Sequence, residues 1–235
     1  MGIIKNSIYA LFYSIMAGIM ITIGATIFLS CENKTIGAFL FGIGLLVIVN
    51  FGMFLYTGKI GYMAYRTCIG EWLGILVVWI GNFIGTYLTG ALLSLTRIGE
   101  NLREKATQLC SIKLQDDLLS LYILGFFCGM LMFIAVYGYK SLKSDFVKTV
   151  LLFLCVGVFI LCGFEHSIAD MAYFSIAGLW NTQSLIAISF ITLGNAFGGL
   201  FIPILYRVFN LLVNSQKLDE SQKLWYTYKW TKGSE

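Results

Sequence analysis

The sequence predicts an all-α integral membrane protein: six transmembrane helices, built as two inverted three-helix repeats, with helices two and five broken. Three observations predict it. Hydrophobic residues make up 58% of the 235 and charged residues only 12%, at a mean hydropathy of +0.83, which is far from a soluble globular composition. Apolar runs of the about 20 residues needed to cross a hydrocarbon core recur along the chain. Short peptides of the first half also reappear, in order, in the second.

The first run, about 9–29, is too long for a signal peptide and precedes no small-residue cleavage site, so it is read as a retained span. Runs at about 36–57, 73–95, 118–138 and 184–206 supply four more. The fifth span in chain order, about 147–179, is interrupted by "EHSIAD" (165–170). One transmembrane domain over 1–235 follows, with repeat one at about 9–95, repeat two at about 118–206 and a cytoplasmic tail at 210–235.

Orientation comes from the loop charges. With both termini in the cytoplasm, eleven of the 16 Lys and Arg residues fall inside, as the positive-inside rule requires. The net charge of +4 then reflects insertion and contact with anionic headgroups, and gives no reason to expect nucleic acid. None of Cys31, Cys68, Cys110, Cys128, Cys155 and Cys162 forms a CxxC or other metal-like pattern. Cys31 and Cys110 both fall outside on this topology, which permits a disulfide between them.

The repeat is carried by three matches. "FGMFLYTGKIGYM" (51–63) lies over "CGFEHSIADMAYF" (162–174), pairing Gly52 with Gly163 and Tyr62 with Tyr173. "GNFIG" (81–85) lies over "GNAFG" (194–198), and "IMAG" (15–18) over "YILG" (122–125). An odd number of spans per unit inverts the second unit in the membrane. Broken spans of such repeats meet near the bilayer midplane, where irregular backbone is tolerated because it lines a cavity. The breaks are expected at "YTGKIGY" and "EHSIAD".

An ionisable residue at a span centre costs about 2.5–3.5 kcal/mol on insertion scales, so Glu165, His166 and Asp170 need water, partners or a function. Glu165 and Asp170 are expected to cap half-helices by accepting backbone N–H groups. On a helix Glu165 and His166 would point about 100° apart and not share a lumen. His166 is expected to face the first broken loop, where Thr57 is the nearest small hydroxyl. A lone histidine bonded to a core carbonyl is the plainer alternative. His166 and Asp170 have i,i+4 spacing, but no second histidine or thiolate pair completes a metal site. A neutral imidazole that donates a hydrogen bond and exchanges a proton suits a small anion or its conjugate acid.

Lys113, in "SIKLQDD", either snorkels to the headgroups or sets a positive potential at a pore mouth. Phe41, Leu45, Leu55, Tyr56 and Phe159 are either packing or apolar constrictions. Asn82 and Asn195, matched in the two "GN" peptides, join Glu165 and Asp170 as structural polar residues near the centre.

"GFEHSIADM" closely resembles the fifth-span motif of the formate/nitrite transporter family, usually GFEHSIANM. "FGMFLYTG" resembles the family's second-span loop and "LGNAFGG" its sixth-span signature. The resemblance covers nearly the whole chain. It implies an aquaporin-like homopentamer with one pore per protomer, carrying formate, nitrite, hydrosulfide or related monovalent anions in the bacterial inner membrane. By that resemblance His166 is the pore histidine, Thr57 its partner and Lys113 the outer lysine that attracts anions. Leu45, Leu55 and Tyr56 fall on the cytoplasmic constriction, Phe41 and Phe159 on the periplasmic one. The sequence departs from the pattern at Asp170, where Asn is usual, and at Tyr56, where Phe is common. It departs again in an N-terminal segment of only about eight residues, which puts terminus-dependent gating in doubt.

The expected function is a channel or transporter for small weak-acid anions, proton-linked through His166, with the lipid bilayer as its other partner. A neutral-solute pore of aquaporin type is the alternative. An integral membrane enzyme is a remote third, since no cofactor motif or nucleophile pattern is present.

Overall fold

The computed structural model describes residues 2–66 and 68–215, with side chains for 7–66 and 68–211; the expected tail lies mostly outside the described residues. The described chain is helical: α1 (Gly2–Ser30), α2 (Lys34–Asn50), α3 (Tyr56–Lys59) continued by a 3-10 turn (Ile60–Tyr65), α4 (Ile69–Ser94), α5 (Gly99–Gln115), α6 (Leu118–Ser141), α7 (Asp145–Leu161), α8 (Ser167–Ala177) and α9 (Thr182–Ser215). Among the described residues, α1, α4, α6 and α9 are each long and apolar enough to cross a membrane.

Polar side chains cap the starts of α2, α6 and α7. The Asn33 side chain accepts the Thr35 and Ile36 N–H groups at the head of α2, Asp117 accepts that of Ser120 in α6, and Ser144 that of Val147 in α7. Large apolar side chains face outward, including Leu73, Leu76, Ile80 and Leu88 along α4. That reverses the pattern of a water-soluble helix bundle and suits a lipid-facing wall.

Inside, the long helices approach through glycine. A Cβ on Gly18 of α1 would run into the Asn82 carbonyl of α4, and one on Gly85 into the Ile15 carbonyl. In the second half, a Cβ on Gly129 of α6 would meet the Asn195 carbonyl of α9, and one on Gly198 the Phe126 carbonyl. Such contacts are the small-residue packing that lets membrane helices touch backbone to backbone.

The expected second and fifth spans are each two helical pieces joined by a non-helical break, but the first break lies before the expected place and the second starts before it and overlaps it only at Glu165 and His166. The first covers residues 51–55, and "YTGKIGY" is already helical; the second covers 162–166, and helix resumes at Ser167. The reversals sit on Gly52 (φ 65°) and Gly163 (φ 69°), where a side chain would be strained. The polar residues in the expected places read as breakers, whereas the backbone turns at the glycines before them.

A second difference is α5. The stretch after α4 reads as a polar loop, yet it folds as a helix that buries Leu102, Ala106 and Cys110, spaced four apart. Cys31 and Cys110 are free, so the disulfide that the topology permits is not formed.

Candidate functional site

Each break is held by one asparagine from the following long helix. Asn82 Nδ2 donates to the Ser14 and Phe54 carbonyls at 2.8 Å each, while Oδ1 accepts the Tyr56 N–H at 2.9 Å. Asn195 repeats the pattern: Nδ2 donates to the Gly125 and Glu165 carbonyls at 2.8 Å each, and Oδ1 accepts the Ser167 N–H at 2.9 Å. The rungs beside them match too, with the Phe54 N–H donating to Tyr13 O (3.2 Å) and the Glu165 N–H to Leu124 O (3.3 Å). Both asparagines are fully buried. Extended backbone exposes N–H and C=O groups that a bilayer cannot satisfy, and these amides satisfy them.

Where the two breaks meet, Thr57 Oγ1 lies 2.9 Å from His166 Nε2, both groups buried. His166 is the N-cap of α8, and its Nδ1 accepts the Ala169 N–H at 3.0 Å. A backbone N–H can only donate, so Nδ1 carries a lone pair and the ring hydrogen sits on Nε2. Nε2 therefore donates to Thr57, whose own hydroxyl hydrogen is left to point elsewhere. Adding a proton at Nδ1 would set two N–H groups against each other and remove the helix cap.

The capping role expected of the carboxylates thus falls to the histidine. Glu165 and His166 are in extended backbone, not on a helix, and both line the same cavity. That cavity, about 170 Å³, lies at the α5 end of the molecule, bounded also by Lys34, Phe159, Lys113 and Asp170. It has room for a small anion or a few waters.

Lys113 is in the last turn of α5, not in a loop, on the face that follows Cys110 inward. Its ammonium pairs with the Glu165 carboxylate and with Asp170 Oδ1, the latter at 3.0 Å; the three side chains are 11%, 8% and 3% exposed. The signal for its burial was present in the four-residue spacing of Leu102, Ala106 and Cys110, which continues helically to Lys113.

Apolar side chains lie on either side of the Thr57–His166 pair. Phe159 stacks on the imidazole at 5.5 Å between ring centroids and meets Phe41 edge-on at 5.9 Å. Leu45, Leu55 and Tyr56 are buried. Leu55 lines a smaller pocket of about 50 Å³ at the opposite end, while Leu45 and Tyr56 do not. The Tyr56 hydroxyl instead donates to the Thr192 carbonyl of α9 at 3.4 Å.

Sequence reasoning missed two residues in that second pocket, Lys59 and Lys140. Among the described residues neither has a carboxylate within ion-pair distance. Lys59 Nζ sits 3.8 Å from the Phe54 ring centre and Lys140 Nζ 5.2 Å from that of Tyr62.

Two broken helices that bring a buried hydroxyl–imidazole pair between apolar side chains, with a pocket at each end, define a membrane transport protein. The family described as Formate/nitrite transporter matches residues 4–209, and the chain belongs to that family. It is 30% identical over 175 residues to the uncharacterized transporter YwcJ of Bacillus subtilis, covering 68% of each chain. It is 25% identical over 199 residues to the nitrite transporter NirC of Escherichia coli, covering 77% of this chain and 72% of that one. Among solved structures, a pentameric formate channel with formate bound superposes at a TM-score of 0.73 and 24% identity, over 88% of this chain and 98% of the other. An FNT family ion channel superposes at 0.76 and 20% identity, over 88% and 91%.

Proposed function

We propose that the chain passes small monovalent weak-acid anions, formate or nitrite before hydrosulfide, through a pore centred on Thr57 and His166. The observation that carries this reading is the 2.9 Å Thr57–His166 contact where the two breaks meet, in a chain of the formate/nitrite transporter family. A neutral imidazole that donates through Nε2 leaves the Thr57 hydroxyl hydrogen for an anion's oxygen or for its conjugate acid. Phe41 and Phe159 on the outer side, and Leu45, Leu55 and Tyr56 on the inner, remove the substrate's water, and burial raises the proton affinity of the anion itself. Transport is therefore proton-linked. Lys113 serves as the positive group that draws the anion in.

The arrangement we favour has six membrane crossings, α2–α3 and α7–α8 each counting as one, in two inverted repeats and a single channel domain. Matched bonds around Asn82 and Asn195 support the repeat. Both termini lie in the cytoplasm of a bacterial inner membrane, five protomers assemble, and the chain is not an enzyme. Support for the pentamer is the likeness to a solved pentameric channel.

The test is uptake into proteoliposomes of purified protein, with formate, nitrite and hydrosulfide competing pairwise across a range of pH. Saturable, mutually inhibited uptake above that of protein-free vesicles is expected. Swelling with glycerol and no anion uptake would overturn the reading.

A further inference from the structure

The pairing of Lys113 leaves an imbalance. One ammonium contacts two carboxylates, Glu165 and Asp170, so with both ionised the cluster is net negative, in a cavity that an anion must enter. Asp170 Oδ1 is used by Lys113, but Oδ2 is buried and has no hydrogen-bond partner. The Asp170 residue is 2% exposed and lines the cavity that His166 also lines. An unpartnered carboxylate oxygen so placed is costly when ionised and is relieved when it carries a hydrogen.

Among the described residues no second cation forms an ion pair with Asp170. From α5 come Lys113 and Cys110, from the break Glu165 and His166, from α6 Cys128 and from α8 itself Tyr173. Lys34 of α2 lines the same cavity without an ion pair to Asp170. Thiols and phenols are ordinarily neutral at pH 7, and the Ala169 bond keeps His166 neutral. Two like charges in contact share one proton in preference to ionising together.

We infer that Asp170 and Glu165 hold one exchangeable proton against Lys113, carried on Asp170 Oδ2, and that this proton is given to the weak-acid anion in the cavity. This rests on the anion reading above and names the proton donor for it. With the proton in place the cluster is neutral and admits an anion. The O–H bond of Asp170 breaks as an O–H bond forms on the anion, whose conjugate acid then passes the apolar side chains. Asp170, now a carboxylate beside Lys113, takes its next proton from the water of the outer vestibule. One proton travels with each anion, and His166 remains a neutral hydrogen-bond donor.

The experiment compares wild type with Asp170→Asn and Glu165→Gln in proteoliposomes, measuring formate uptake and internal acidification together as external pH is varied, with protein-free vesicles subtracted. Wild-type uptake should rise as external pH falls, because the protonated cluster is the donating form, and acidification should match uptake. Each variant leaves Lys113 with a single carboxylate and no shared proton. Both should flatten the pH profile and lower acidic-side uptake about tenfold or more, while eluting at the wild-type size in detergent. Variants that keep the wild-type profile and one-to-one acidification, whatever their absolute rates, overturn the proton assignment. Absence of formate uptake in wild type itself would instead overturn the anion reading.

Discussion

The break after α2 and the break after α7 have nearly the same backbone and quite different chemistry. Gly52 and Gly163 turn them, and Asn82 and Asn195 clamp them through the same three bonds each. At matched places the first break carries Phe54, Leu55 and Lys59, and the second Glu165, His166 and Asp170. The comparison teaches that the scaffold of this site is set by glycine and asparagine, which recur. Polarity is set by three side chains, which do not. One end presents Lys59 and Lys140 with no carboxylate among the described residues paired to them; the other surrounds Lys113 with two.

If the clamps are equivalent, Asn82→Leu and Asn195→Leu should be equally harmful. Each strands buried backbone groups worth about 1–3 kcal/mol apiece, so loss of the folded form by at least about 3 kcal/mol is expected for both. Thermal unfolding in detergent, followed by size-exclusion, checks this, and a mild effect at one site would break the equivalence. Next in size is the asymmetric centre. Replacing His166 by Phe removes the Nε2 donor and the α8 cap together, and anion uptake should fall about a hundredfold; the mirror change Leu55→Phe should fall far short of that. Lys59→Gln with Lys140→Gln should slow entry from the face that these lysines occupy a few-fold, in a way that about 0.5 M salt abolishes. Uptake into and efflux from proteoliposomes holding the protein in one orientation measure it, and an equal loss in both directions would refute a collecting site at that end. Smallest is Tyr56→Phe, which gives up one 3.4 Å bond to the Thr192 carbonyl. Stability should change by under about 1 kcal/mol, with uptake kept.

Much of this was legible in the sequence, because its causes are local or repeated. Hydropathy alone gives the long helices, and the matched Gly and Asn residues mark the broken pair before any coordinates. His166 and Thr57 could be paired because each falls beside a break. The exact breaks are less legible because polarity marks them only loosely: Glu165 and His166 end the second break, whereas the chain turns earlier, at Gly163. The α5 helix was hidden because its outer face is charged and its buried stripe is only Leu102, Ala106 and Cys110. The three-way contact of Lys113 was not readable at all. It joins residues separated by more than fifty positions, and no periodicity connects them.

The asparagine clamps have a further consequence for biosynthesis. The amide that satisfies the Phe54 carbonyl and the Tyr56 N–H sits on α4, and the one that satisfies the Glu165 carbonyl and the Ser167 N–H sits on α9, each later in the chain than the break it serves. A half-made protein emerging from the ribosome therefore carries its first broken helix partly unsatisfied until Asn82 arrives, and its second until Asn195 arrives. Water or the insertion machinery must shelter each in the meantime. The Thr57–His166 contact, which joins the two halves, depends on both breaks being in place, so it belongs to the late steps of assembly.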